Sequence, residues 1–304
     1  MARKIKWPKG CDFAFTIVDD TDGATVKNVK PVYDYLYERG IITTKTCWAY
    51  PVRDSVYKGE CLQDSNYREF LLQLKDRGFE IGFHNAGSGG FKREETISAL
   101  NCYKDIFGNF PNMHINHSNN VENIYWGAKR FSGIVNKIYS HKKKTQSLGD
   151  ENESEYFWGD ICKEKIKYIR NRTFNGINTL REDKRLVYRE TNKEKYSNYW
   201  FSSSDGMRLK PFLKLLTKKN IDKLVKQQGC CILYTHFAYE FVDEKGNLDE
   251  DFKSAVDYLS KQNGWFVPAS QLLDYVLENK EYKPSKLYEF WMDIKWLFER
   301  VMKK

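Results

Sequence analysis

The apolar positions of the chain recur in two periods. Asp12-Phe-Ala-Phe-Thr-Ile-Val18 is a continuous run of β-branched and aromatic residues, which predicts a buried strand, and it ends in the carboxylate-rich stretch Asp19-Asp20-Thr-Asp-Gly23. Val26, Val29, Val32, Tyr33 and Leu36 then follow at helical spacing until Gly40. Residues 43–48 predict the next strand. Tyr67, Phe70, Leu71 and Leu74 mark a second helix closed by Gly78, and residues 79–83 form a strand that runs into His84. This alternation predicts an α/β protein with parallel strands, in which ligands bind beyond the carboxyl ends of the strands.

The same reading places a helix at 93–107 and a short strand at 112–115, before the polar stretch His117-Ser-Asn-Asn120. A helix at 220–228 leads to the apolar strand 230–234, and Thr235-His236 closes it. Helices at 251–262 and 270–278 flank a short strand at 265–267. The polar segments 141–155 and 181–198 are expected to be surface loops or insertions. The end of the chain differs in kind. Leu287, Phe290, Trp291, Ile294, Leu297, Phe298 and Val301 share one helical face, while Lys283, Lys286, Lys295, Arg300, Lys303 and Lys304 outnumber Glu289, Asp293 and Glu299. Residues 281–304 are therefore expected to form a basic amphipathic helix, which either docks on its own domain or lies peripherally on a membrane. A basic segment at 1–11 and a catalytic domain at 12–280 complete the division.

Composition narrows the partners. The net charge of +9 invites anionic ligands, yet no zinc-finger spacing, RNP-type strand or long Lys/Arg block accompanies it, so no nucleic-acid partner is expected. Seven scattered cysteines without a C-x-x-C pair argue against a zinc ribbon or a disulfide framework. The first ten residues lack the apolar core of a signal peptide, and no window of 18 apolar residues exists. The expected location is the cytoplasm, with at most peripheral contact at the inner face of the membrane. Gly87-Ser-Gly-Gly90 lacks the Lys-Ser/Thr and the spacing of a phosphate loop, and reads as a turn.

Chemistry gathers at strand ends: Asp19-Asp20, His84 and His236 each follow an apolar strand, which predicts one pocket at the carboxyl edge of the sheet. Phe15-Thr-Ile-Val-Asp-Asp20, Glu80-Ile-Gly-Phe-His84 and Leu233-Tyr-Thr-His236, in this order, resemble three motifs of the polysaccharide deacetylase (NodB-homology) superfamily. The resemblance spans roughly residues 12–270 as an order of elements. It implies a distorted (β/α) barrel with loop insertions and the C-terminal amphipathic helix appended. It also implies that Asp19 is the catalytic base, that Asp20 and His84 bind a divalent metal, zinc, and that His236 is the acid protonating the leaving amine. The superfamily's second metal histidine, four residues after the first, is replaced here by Ser88. His117, followed by a polar loop, is the preferred third ligand, with His114 the alternative. Asp205, Arg208 and Trp200 are candidate substrate-binding residues, set in a polar and aromatic segment of the kind that binds sugars.

The resemblance implies metal-dependent hydrolysis of an N-acyl group, N-acetyl above all, from an amino sugar in a surface polysaccharide or its lipid-linked precursor. The alternatives are a catalytically inactive glycan-binding module on the same fold, and an interaction protein that docks through its C-terminal helix.

Overall fold

The computed structural model describes residues 5–127, 130–131, 133–142, 147–279 and 285–302. Seven parallel strands close into a barrel: β1 (Phe13–Asp19), β2 (Thr44–Cys47), β3 (Glu80–Phe83), β4 (Met113–His114), β5 (Tyr168–Phe174), β7 (Tyr199–Asp205) and β8 (Cys230–Thr235). The circuit closes because β1 has β8 on one side and divides its other side between two neighbours. Its carboxyl half pairs with β2, Val18 opposite Thr44, and its amino half pairs with β9 (Gly264–Phe266), Phe13 opposite Gly264. The two-residue strand β6 (Val187–Tyr188) pairs antiparallel with β7. Helices surround the barrel: α1 (Val26–Glu38), α2 (Ser65–Asp76), α3 (Arg93–Phe107), α4 (Gly133–Lys142), α5 (Gly159–Lys165), α6 (Thr179–Glu182), α7 (Leu209–Leu215), α8 (Lys218–Lys226), α9 (Glu250–Ser260) and α10 (Ala269–Asn279). Helix α1 starts where the sequence dictates: Thr25 and Asn28 form a reciprocal capping box that satisfies two of the free amides of its first turn.

Each strand divides its side chains by parity, because successive residues point to opposite faces of a sheet. On β1, Phe13, Phe15 and Ile17 belong to the core shared with Val29, Val32 and Tyr33 of α1. Ala14 and Val18 belong to a second core inside the barrel, with Met113, Tyr168, Phe201 and Ile232. Asp19 follows Ile17 in parity and so points out of the lumen, towards the helices. There it is fully buried, paired with Lys45 Nζ at 2.9 Å, and it accepts hydrogen bonds from Tyr33 Oη at 2.9 Å and Phe237 N at 2.7 Å.

The middle of the chain is more ordered than its polarity predicts. β5 and β7 are central barrel strands, and the segment expected to be a surface insertion at 181–198 holds β6 and the buried residues Asp183, Arg185, Leu186 and Lys193. Its charges are buried because they are paired: Arg185 grips Asp183 at 2.8 Å, and Ser202 donates to the same carboxylate. Of the expected loop at 141–155, residues 143–146 lie outside the described residues. Within the remainder, Ser147 and Asp150 are buried.

The last helix, α11 (Lys286–Val301), is not an independent appendage. Met292 and Trp296 enter a small core with Phe131, Val135 of α4 (Gly133–Lys142) and Phe174 of β5. Asp293 binds Arg172, Lys295 reaches Glu182 at 2.6 Å, and Glu299 accepts from Asn175 N at 2.9 Å. Lys283, Lys303 and Lys304 lie outside the described residues, as do residues 1–4, while Ile5 and Trp7 of the amino-terminal segment are buried against the barrel. No helix among the described residues is long and apolar enough to cross a membrane.

The buried pair at Asp19 gives the first prediction. Lys45→Met removes the cation while leaving the carboxylate in the dry interior, and is expected to cost on the order of 3–5 kcal/mol of stability. Equilibrium urea unfolding measures it; an unchanged midpoint would show that Asp19 does not depend on Lys45.

Candidate metal centre

The lumen-facing parity carries the site. On β3, Ile81 and Phe83 pack with the helices, so His84 emerges on the opposite face, into the barrel mouth. Asn85, in the left-handed conformation at φ 67°, turns the chain away directly afterwards, a geometry that Asn tolerates better than most residues. On β4, Met113 and Ile115 face the lumen and His117 continues their parity, whereas His114 points outward. His114 packs edge-on against Trp158 with both ring nitrogens unbonded, and burial depresses its pKa to about 3.

The two histidine loops are tied together from beneath by a buried carboxylate. Glu122 binds Asn85 from the first loop, and from the second Asn120 at 2.8 Å; Phe91 N also donates to it at 3.1 Å. Asn123 Nδ2 donates to the His117 carbonyl at 2.7 Å. The polar stretch after His117 therefore serves mainly to hold that histidine. Ser88 lies aside, donating to Asp54.

The carboxylate beside the two imidazoles is Asp22. Gly23, at φ 74°, bends the chain after β1 back towards α1, and Asp22 sits at that bend. Its Oδ1 lies 3.1 Å from His117 Nε2 and 3.7 Å from His84 Nε2, and the ligand atoms of the three residues fall within 4.8 Å of one another. Two atoms each about 2.1 Å from a tetrahedral ion would lie about 3.4 Å apart, so these spacings suit one metal. The hydrogen bonds leave the right lone pairs free. Thr46 Oγ1 donates to the Asp19 carbonyl, so at 3.1 Å from His84 Nδ1 it must accept, which places the proton on Nδ1 and leaves Nε2 bare. Asp22 Oδ1, His84 Nε2 and His117 Nε2 are all buried without a hydrogen-bond partner. Three such atoms facing one another are costly unless something binds them. This buried Asp–His–His triad fits a metal site.

Charge supports the fit. Burial, the largest effect, holds the His84 pKa well below its ordinary value, and it lowers that of His117 too, so both are neutral ligands. Burial alone would raise Asp22, but attraction to His117 in its protonated form, then the His236 hydrogen bond and the protonated form of His84, would hold it well below the usual carboxylate range in acid. His236 differs. Its Nδ1 lies 2.9 Å from the Met207 carbonyl and its Nε2 2.9 Å from Asp22 Oδ2, and both partners are acceptors, so both nitrogens carry protons. Burial, the largest single effect, opposes that charge, but the Asp22 hydrogen bond, the charges of Asp22 and Asp20 and the Met207 contact together outweigh it and raise the pKa.

Two aspartates lie elsewhere than their expected roles require. Asp20 has lumen parity but lies outside the triad, because both its oxygens are gripped by Arg170, at 2.7 and 2.5 Å. Asp19, expected as the base, faces the helix layer and cannot reach the cavity. Arg170 escaped sequence reasoning altogether, since β5 did not read as a strand. A bulge between Arg170 and Arg172 breaks the alternation there, so Arg170, Asn171 and Thr173 line the candidate site while Arg172 turns to α11.

The cavity measures about 350 Å³, and its walls include Tyr57, Trp126, Arg170, Arg208, Tyr239 and Arg300 around Asp20, Asp22 and the three histidines. Tyr57 stacks on His117 at 4.2 Å. Of the three candidate substrate residues, Arg208 lines the cavity, over the Tyr239 ring. Asp205 stands behind it, 3.7 Å from Arg300. Trp200 does not belong: its parity sends it into the helix-side core, fully buried against Tyr125.

A closed barrel of seven parallel strands with a buried Asp–His–His triad at its carboxyl edge defines a NodB-like fold with a metal-competent centre. No family profile and no curated protein matches the sequence. Solved structures do. The chain resembles the PuuE allantoinase with a TM-score of 0.55 and 13% identity, over 91% of this chain and 94% of that one. It resembles a probable polysaccharide deacetylase from Pseudomonas aeruginosa PAO1 with a TM-score of 0.54 and 13% identity, over 91% and 95%. At that identity the likeness is one of fold.

Metal analysis after zinc loading tests the triad. Asp22→Ala, His84→Ala and His117→Ala are each expected to weaken retention at least about a hundredfold, since even partners behind the ligands are worth 10–100-fold. His114→Ala should bind as the wild type does; loss of metal there, with retention in the other three, would put the site elsewhere.

Proposed function

We propose that the protein removes an N-acyl group, acetyl above all, from an amino sugar in a surface polysaccharide or its lipid-linked precursor, using a divalent metal held by Asp22, His84 and His117. The observation that carries the reading is the set of three bare ligand atoms with a fixed carboxylate and a doubly protonated imidazole on either side. The fold shared with a probable polysaccharide deacetylase supports it.

An amide resists water, and a divalent cation at the triad, zinc by its mixed nitrogen and oxygen donors, supplies Lewis acidity towards water and the acyl oxygen. Asp20 is the base in this reading, one acidic position later than the motif alone implies. Arg170 fixes its orientation through one lone pair on each oxygen, and the remaining lone pairs are free to accept the proton of the attacking water. His236 donates a proton to the departing nitrogen. Its Met207 contact holds the ring, and its raised pKa extends the loaded acid to higher pH than a free imidazole allows.

Tyr57, Trp126 and Tyr239 offer ring faces for a sugar, and Asn116 and Asn171 offer amides for its hydroxyls. Arg208 and Arg300 suit a substrate that also carries a phosphate. The case for a catalytically silent glycan binder rested on the serine at position 88, and with His117 completing the triad in this reading that premise falls away.

Acetate release from N-acetylated saccharides by the zinc-loaded protein is the direct assay. Asp20→Asn should retain metal and lose about 10²–10⁴-fold in kcat. Metal-replete protein inactive on every N-acylated amino sugar offered would end the proposal. Because the His236 pKa is raised, the acid is present below that value and lost as pH rises through it. The wild-type rate should thus fall on the alkaline side, and His236→Gln should flatten that limb.

A further inference from the structure

Helix α11 is amphipathic in the opposite sense to an ordinary surface helix. Its carboxylates are turned inward: Asp293 to Arg172, Glu299 to Asn175 N, and Glu289 into a second cavity beside Arg172. Lys295 and Arg300 are also committed to the barrel, at Glu182 and Thr173. What faces solvent beyond Lys286 is apolar: Leu287 is 67% exposed, Trp291 59%, Phe298 63% and Met302 71%, with Ile294 between them. These positions follow one another at spacings of three and four, so they form a continuous stripe along the helix. Helix α4, which packs beside α11, adds the exposed Ile134 and Ile138. Scattered exposed apolar residues are normal on a protein surface; a stripe of this length is not.

Charge tells what covers it. The exposed residues described on α4 and α11 include Lys137, His141 and Lys286 but no carboxylate. In sequence, Lys142 ends α4 and Lys143 and Lys144 follow it, Lys280, Glu281 and Lys283 precede α11, and Lys303 and Lys304 follow it. Apolar side chains, two aromatics among them, with basic groups and no exposed carboxylate beside them on the described parts of the two helices, are the chemistry of a helix lying in an anionic lipid interface. A second copy of this chain would bring like charges together on a background of +9 each.

We propose that the outer face of α11, with Ile134 and Ile138, seats the protein on an anionic membrane surface. The seat stands apart from the catalytic reading, and one consequence joins them. Arg300 of the same helix lines the candidate site, so a membrane-seated α11 brings the cavity to the bilayer, where a lipid-linked saccharide is presented. This last clause rests on the deacylation reading.

Deleting the helix would strip Met292 and Trp296 from the core, so substitutions on the exposed stripe are the clean test. Wild type, the double variant Trp291→Ser/Phe298→Ser and His84→Ala are each co-sedimented with vesicles of phosphatidylcholine containing phosphatidylglycerol, and with phosphatidylcholine alone. The proposal expects wild type and His84→Ala to partition alike onto the anionic vesicles, more weakly onto the neutral ones, and the double variant to lose about tenfold or more. The double variant should keep the wild-type melting temperature and turnover of a water-soluble substrate. Failure of the wild type to bind, or equal binding by the double variant, overturns the seat. A wild-type dimer in light scattering that the double variant abolishes assigns the face to a second copy and overturns it equally. Since His84→Ala needs no activity to sediment, loss of the catalytic reading would leave this result standing.

Discussion

Closure of the parallel sheet is the constraint on which the rest of the structure depends. Once β1 pairs with both β8 and β2, each strand has a lumen face and a helix face, and a side chain's parity decides which of two unlike environments it enters. Phe15 and Ile17 meet helices, Ala14 and Val18 meet the lumen, and the rule continues beyond the last paired residue. It separates Asp19 from Asp20, His117 from His114, and Trp200 from Phe201. Each member of these pairs is close to the other in sequence, yet in each case only one can face the lumen side.

Within that frame the site is assembled by pairing, not by proximity alone. The charges that flank the triad are paired: Asp19 with Lys45, Asp20 with Arg170, His236 with Asp22 and a backbone carbonyl. The hydrogen bond from His84 to Thr46 fixes the tautomer, and burial keeps both ligand imidazoles neutral. Glu122 performs the corresponding task for the loops, joining the one after β3 to the one after β4 so that two histidines far apart in sequence converge. The same economy explains α11, whose charged residues complete ion pairs on the barrel and leave its apolar residues outside.

The sequence by itself determined a good deal of this: the strand and helix alternation of the first half, β8 and its closing histidine, and the two histidines at 84 and 117 that converge beside one carboxylate. Periodicity reports these because each element is amphipathic or wholly apolar. It was silent where burial is achieved by pairing. β5 carries Arg170 and Arg172, and β7 carries three serines, so neither looks like a core strand although both are. Only the tertiary structure decided which carboxylate meets the imidazoles. The run from Asp19 to Asp22 holds three aspartates within four residues, and a short motif can be aligned on it in more than one way. The choice of Asp22 depends on the parity of β1, on the bend at Gly23 and on an arginine some 150 positions away that claims Asp20. A ligand set is a property of converging lone pairs, and convergence is a relation between distant segments that no local pattern records.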